Sequence, residues 1–401
     1  MTWLEDGDVG IGATVLPYGA WTRNDRDRPR VGVAGGARVL DVSPAAWQLL
    51  PSRAPLLGGG TLDALLAAGP AAWHEVRQAL TSWFRNEATR HVLEPLLVPA
   101  DDVRMHLPFT VADYVDFYSS EHHATNVGRM FRPDAEPLSR TWKHLPVGYH
   151  GRAGTVVVSG SDVPRPWGQR LMPGGEVVVG PSTRLDVEAE VGFVVGAPSR
   201  RGRRVPVSAF ADHVFGVCLV NDWSARDLQA FETVPLGPFL AKSFATSVSP
   251  WVVPLAALEH ARTSPPQREP DPQDYLDDTR DPWALDLQLE VRLNGSLISR
   301  PPFRTMYWTA PQQLAHLTVN GASVRTGDLF ASGTVSGPDR DQRGSLLELS
   351  WNGTEPLRLA DGTTRTFLED GDEVVISATA PGAGGAVLPL GEVRGRVAPP
   401  S

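Results

Sequence analysis

The chain predicts a mostly β protein of the α+β class, with a small mixed domain over residues 1–107 and a larger strand-rich domain over residues 108–401. Three features of the sequence carry this. Helical apolar spacing is concentrated in the first part, where Trp73, Val76, Leu80, Trp83 and Phe84 fall on one helix face. From Pro108 onward, short valine-rich runs alternate with Gly, Pro and Asp turns. Between them, residues 113–152 are polar and aromatic on glycine-broken backbone, as expected of a site held by a rigid scaffold.

In the first domain, RVGVAGG and ARVLDV read as two strands around the Gly35-Gly36 turn, followed by helices over 61–68 and from Pro70. Gly58, Gly59 and Gly60 lack the strand and the Lys-Ser/Thr pair of a phosphate loop, so they read as a turn. In the second domain, TVVVSG, EVVVG, LDVEAEVGFVVG, VFGVCLV, SPWVVPL and EDGDEVVISA read as strands. Asn294-Gly295 and Asn352-Gly353 are hairpin signals. APQQLAHLTV is a helix with Pro311 in its first turn.

Composition narrows the function classes. With 401 residues, 41% hydrophobic and 21% charged, the chain is ordinary for a globular protein large enough for more than one core. Its net charge of −9 is spread along the sequence, and its strongest basic cluster, Arg200–Arg204, is short, which argues against nucleic acid or a membrane as partner. The single cysteine, Cys218, excludes an internal disulfide and points to a reducing compartment; it reads as a small buried hydrophobe. The acidic N-terminus has no apolar signal core and no window reaches membrane-spanning length, so a cytoplasmic protein is expected.

Ten histidines occur in the chain, and His122, His123, His144 and His150 all fall within residues 113–152, beside Asp116, Tyr118, Arg129, Arg132, Tyr149 and Arg152. Glu188 and Glu190, two apart in a strand-like run, would share a face; the pair reads either as a solvated face or as part of a site. Asp222 ends the apolar strand VFGVCLV. If Asp116, Glu188, Glu190 and Asp222 converge, a hard cation such as Ca²⁺ or Mg²⁺ is the natural partner, and zinc is a poor one. The stretch from Asn221 to Pro250 adds Arg226, Gln229, Lys242 and Thr246. Lys242 reads as a cation opposing developing negative charge, and Arg226 with Asp227 as either a site group or a surface ion pair. Thr334 lies on a turn, and Glu348 in the strand-like SLLELSW either faces solvent or orients a histidine.

DFYSSEHHATNVGRMFRP, HLPVGYHGRAGTVVVSG, LDVEAEVGFVVG, NDWSARD, VPLGPFLAKSF, ASGTVSGP and DGDEVVIS together resemble the fumarylacetoacetate hydrolase family almost end to end. The resemblance implies an SH3-like barrel followed by a mixed β-sandwich roll, assembled as a homodimer. It implies hydrolysis of a β-diketone carbon–carbon bond, fumarylacetoacetate to fumarate and acetoacetate in tyrosine and phenylalanine catabolism. It implies Asp116, Glu188, Glu190 and Asp222 as Ca²⁺ ligands, and Asp222, Lys242 and Thr246 around Mg²⁺. His123 falls on the base, Glu348 on the carboxylate that orients it, and Arg226 and Lys242 on groups that stabilise the leaving carbanion. Tyr118, Arg132, Tyr149, Gln229, Thr233 and Thr334 fall on substrate-binding positions. Thr233 stands where the family usually has tyrosine, Ala241 and Ala245 replace glycines, and the tail from Ala378 departs from the family pattern.

The competing expectations are a same-fold hydrolase, decarboxylase or isomerase acting on a different acylpyruvate or oxo-acid in another pathway, and a binding protein that keeps the fold. The second is opposed by the intact base and carboxylates. A glycosidase is set aside, because two carboxylates on one strand face do not straddle a sugar.

Overall fold

The computed structural model of the chain describes residues 15–24 and 26–401. The acidic N-terminal stretch considered for a leader lies outside them. A mixed N-terminal part, with short strands and the long helix Pro70–Arg85, precedes a larger strand-rich part, and one sheet of 13 strands runs through both. Strand Ala189–Val195 is central to it, pairing antiparallel with Val214–Asn221 through Gly192↔Cys218 and with Asp328–Ala331 through Phe193↔Phe330. Asp328–Ala331 runs parallel to Asp113–Phe117, which pairs with Gly148–His150 at Asp116↔Tyr149. Trp251–Pro254 links Val214–Asn221 to Tyr18–Thr22 of the N-terminal part.

Period-2 alternation explains why these strands read as nearly continuous apolar runs. Val191, Phe193 and Val195 pack toward a second sheet of five strands, meeting Leu289, Val291, Val374 and Ile376. Val194 packs the other way, with Val220, Phe215, Trp73 and Leu66. Apolar residues before 110 therefore share a core with the central sheet, where the sequence suggests a core of their own. Trp73 meets Phe215 edge to face at 5.4 Å, a contact worth about 0.5–1.5 kcal/mol beyond the area it buries.

The expected helix near 61–68 spans Asp63–Ala67, and the next spans Pro70–Arg85 with Pro70 in its first turn after Gly69. Asn294 and Gly295 join Gln288–Leu293 to Ser296–Ser299 with φ of 48° and 76°, as a two-residue hairpin turn requires. Asn352-Gly353 is not a hairpin. It belongs to a run of turns just after helix Leu346–Leu349, its positive φ values serving to reverse the chain there. The tail forms a strand, Val387–Ala398, whose Pro389, Gly391 and Gly395 hide its period from the sequence. No helix among the described residues is long and apolar enough to cross a membrane.

Candidate active site

Antiparallel pairing brings the start of one strand beside the end of the next. Glu190, near the start of Ala189–Val195, therefore lies beside Asp222, just after Val214–Asn221, and Asp116, near the end of Asp113–Phe117, joins them across Asp328–Ala331. Carboxylate oxygens of Asp116, Glu190 and Asp222 all lie within 4.8 Å of one another, and all three residues are buried. Burial and then the charge of Asp222 push Asp116 up to about 6. Burial and then Asp116 raise Glu190 well above the usual carboxylate range. Such a cluster is costly unless positive charge compensates it.

Glu188 turns elsewhere. It lies just before the regular strand, bridged to Ser345, and its oxygens accept from Arg226 Nη2 (2.7 Å), Thr334 Oγ1 (2.8 Å), Ser224 Oγ (2.9 Å) and Lys242 Nζ. Burial raises its pKa, but Arg226, Lys242 and His123 outweigh that and hold Glu188 well below the usual range. Lys242 also pairs with Asp222, whose Oδ1 accepts from Thr246 Oγ1 at 3.1 Å. Burial lowers the Lys242 pKa, but Asp222 and Glu188 more than reverse this, so it remains an ammonium.

His123 is set by the start of helix Glu121–Phe131, where Ser120 Oγ accepts from the His123 backbone N–H at 3.2 Å. Gly128 lets that helix meet the following segment closely, since a Cβ there would lie 1.9 Å from the Pro137 carbonyl oxygen. His123 Nδ1 donates to Glu348 Oε2 at 2.7 Å, and Nε2 is 3.7 Å from Glu188 Oε1. Glu348 also accepts from Asn126 Nδ2 (2.9 Å), Ser336 Oγ (2.9 Å) and Ser345 Oγ (2.9 Å). Burial raises its pKa, but His123 and these donors more than offset the rise, so Glu348 stays an anion. The arrangement puts the proton on Nδ1 and leaves the Nε2 lone pair to act as a base.

Glu348 sits on the short helix Leu346–Leu349, not on the strand suggested by SLLELSW. Its N-terminal N–H groups are capped by Ser345 and Asp186, and a fully buried segment carries no polar alternation. Asp186, unnoticed in the sequence, accepts from the N–H groups of Val187, Leu346 and Leu347 and from Arg226 Nε, tying the Glu348 helix to Arg226. Its place one turn of alternation before Glu188 in LDVEAEV was the available signal. Asn126, Ser224, Ser336 and Ser345 carried none, being polar residues in unremarkable positions.

The other singled-out residues divide in two. Tyr149 donates to Asp116 Oδ2 at 3.0 Å, Tyr118 packs edge to face on His123 at 5.3 Å, and Gln229 Oε1 accepts from Arg226 Nη1 at 3.0 Å. Thr334 is buried against Glu188, its turn set by Gly333 at φ 76°. Arg132 is exposed and donates to the Pro137 carbonyl, and Thr233 is exposed, donating to the Gln229 carbonyl. Arg226 and Asp227 do not pair: Asp227 accepts from Ser182 and Thr183 while Arg226 faces Asp186 and Glu188. Of the four clustered histidines only His123 reaches the site; His150 meets Asp113 at the surface.

Residues 14–108 match the fumarylacetoacetase N-terminal model and residues 113–398 the fumarylacetoacetate (FAA) hydrolase C-terminal model. The chain belongs to the fumarylacetoacetate hydrolase family. It is 44% identical to the fumarylacetoacetases of Rattus norvegicus and Homo sapiens over 411 residues, covering 98% of this chain and 97% of each relative. The Caenorhabditis elegans fumarylacetoacetase is 44% identical, covering 96% of this chain and 95% of its own. A solved fumarylacetoacetate hydrolase of Exiguobacterium antarcticum superposes with a TM-score of 0.57 at 16% identity, covering 96% of this chain and 99% of its own, and so shares the family fold.

Two features fit a divalent cation at this family site. Glu190 Oε2 is buried with no hydrogen-bond partner, the acceptor a hard cation would take. Arg152 pairs with Asp116 and Asp222 and Lys242 with Asp222, but neither forms an ion pair with Glu190, so a cation between the three carboxylates would offset the charge these two leave uncompensated.

Proposed function

We propose that this chain hydrolyses the carbon–carbon bond of fumarylacetoacetate to give fumarate and acetoacetate, in tyrosine and phenylalanine catabolism. Full-length similarity to fumarylacetoacetases supports it. The observation that carries it is the Glu348–His123 dyad, whose free Nε2 opens toward Glu188 and the acidic cluster. His123 takes a proton from water and Glu348 stabilises the imidazolium that forms. Arg226 and Lys242, already charged and held in place, oppose the negative charge that appears on the departing acetoacetate carbon and its oxygen. Tyr118, Tyr149, Gln229 and Thr334 line the reacting region; Arg132 and Thr233 bind the substrate from its exposed rim.

Ca²⁺ at Asp116, Glu190 and Asp222, with Glu188 beside it, is the cation this reading proposes, and Mg²⁺ near Asp222 and Thr246 is a second. The Lys242 ammonium is occupied by carboxylates, so any contact of that residue with Mg²⁺ uses its backbone oxygen. When bound, such an ion supplies Lewis-acid polarisation of the diketone.

A cytoplasmic homodimer is proposed as well, with the functional division near residues 107/108. Support for the dimer lies in two neighbouring exposed apolar segments. The hairpin Trp167–Leu171/Val177–Pro181 shows Trp167, Leu171 and Val179, and the loop after helix Arg226–Glu232 shows Val234, Leu236 and Phe239. Gly168 packs on Leu228 of that helix, so the hairpin and the helix that precedes the loop lie against each other. Monomers seldom leave this much apolar side chain exposed.

The test is to incubate the protein, loaded with Ca²⁺ or Mg²⁺, with fumarylacetoacetate, follow the loss of enol absorbance and identify the products. Fumarate and acetoacetate are expected. Carbon dioxide or a rearranged isomer would instead support a decarboxylase or isomerase of the same fold.

A further inference from the structure

Arg152 has no place in the reaction as described, yet its side chain is held inside the site. It follows strand Gly148–His150 after Gly151 and has a left-handed backbone, φ 62°. A non-glycine residue holds that conformation only where its surroundings require it, and such positions gather at functional sites. The turn sends the side chain inward between two aromatic rings, its guanidinium carbon 4.8 Å from the Tyr114 centroid and 5.0 Å from that of Tyr149. At the tip a single nitrogen, Nη2, donates to Asp116 Oδ2 at 2.7 Å and to Asp222 Oδ2 at 2.8 Å. Its Nε is buried without a partner, so the ring sandwich and these two bonds hold the group.

The structure assigns Arg152 the role of a positioning residue that bridges two carboxylates of the proposed cation site and fixes their spacing before the cation arrives. Asp116 and Asp222 come from strands that are not neighbours in the sheet. Lys242 pairs with Asp222 but stays 3.9 Å from Asp116, so it is Arg152 that hydrogen-bonds to both and holds their like charges at a fixed spacing. Arg152 engages one oxygen of each and leaves Glu190 Oε2 without a bond, so the clamp does not fill the site it shapes. Tyr149 closes the arrangement, stacking on the guanidinium while its hydroxyl donates to the same Asp116 oxygen. Groups that orient ligands in this way typically account for about 10–100-fold in metal affinity. If Arg152 merely competed with the cation for those oxygens, removing it would tighten binding. The two roles predict opposite signs.

The inference rests on reading Asp116, Glu190 and Asp222 as a cation site, and the experiment separates the two. Metal-stripped full-length protein and its Arg152→Met and Arg152→Lys variants are titrated with Ca²⁺ by calorimetry, with circular dichroism confirming the fold. In parallel, the rise in unfolding midpoint on adding Ca²⁺ is measured, because it reports cation linkage and not stability alone. Arg152→Met is expected to bind Ca²⁺ about 10–100-fold more weakly, with a smaller rise in midpoint. Arg152→Lys keeps the charge without the planar sandwiched group and is expected to fall between Met and the unaltered protein. Unchanged or tighter binding in either folded variant overturns the positioning role while the site reading stands. Failure of the unaltered protein to bind Ca²⁺ removes both. Should Arg152→Met not fold, the Lys variant decides alone.

Discussion

His123 Nδ1 and Glu348 Oε2 lie 2.7 Å apart although 225 positions separate the residues in the chain. Neither partner is exposed, and three further donors, from Asn126, Ser336 and Ser345, converge on the same carboxylate. A carboxylate surrounded by donors is a fixed anion, and it dictates which imidazole nitrogen keeps its proton. Replacing His123 by Gln should lower kcat on fumarylacetoacetate by on the order of 10²–10⁴-fold. An unchanged rate in a folded His123→Gln protein would remove the base from the reading.

The same dyad makes stability depend on acidity. The Glu348 pKa is depressed on folding, so its contribution is complete above the unfolded value of about 4.3 and is lost as pH falls through the lower folded value. Urea midpoints of the unaltered protein and Glu348→Gln should therefore differ most near neutrality and converge in acid. A difference that grows on acidification would contradict the assignment.

Removing the cation should expose the cost of the acidic cluster. With a chelator the unfolding midpoint should fall, and Ca²⁺ at about 100 times its Kd should restore about 2.7 kcal/mol. Asp222→Asn should abolish that restoration, because Asp222 belongs to the buried triad. A midpoint indifferent to chelator and Ca²⁺ in the unaltered protein would argue against a cation there.

The two exposed apolar segments predict assembly. A double change, Val179→Glu with Leu236→Glu, places one charge on each segment, where the native side chains are exposed in the single chain. Light scattering should report a dimer for the unaltered protein and a monomer for the variant, with little loss of fold. A variant that remains dimeric would move the interface elsewhere.

Thr233 is exposed beside Gln229, so a larger residue fits there without disturbing the core. Thr233→Tyr should raise kcat/KM for fumarylacetoacetate by about tenfold, the worth of one added hydrogen bond. No change across a panel of acylpyruvates would place the substrate away from this rim.

The strands, the main helices and the cluster of polar residues around Asp116 and His123 were legible because each depends on local features: period-2 valine runs, Gly and Asn-Gly turns, and an aromatic polar stretch too poor in aliphatics for core. Long ordered motifs added the family. Local pattern failed for Glu348, whose burial on a four-residue helix erases the alternation that separates strand from helix, and for Val387–Ala398, where proline and glycine interrupt it. It also could not divide the carboxylates. Glu188 and Glu190 are two residues apart, yet one meets Arg226, Thr334 and Lys242 while the other joins Asp116 and Asp222. The sequence by itself determined which chemical groups this protein has and how its chain alternates between sheet and turn. Only the tertiary structure decided which acid faces which base, because charges separated by 20 to 225 residues acquire their partners, and their pKa values, from the packing of elements that local sequence does not encode.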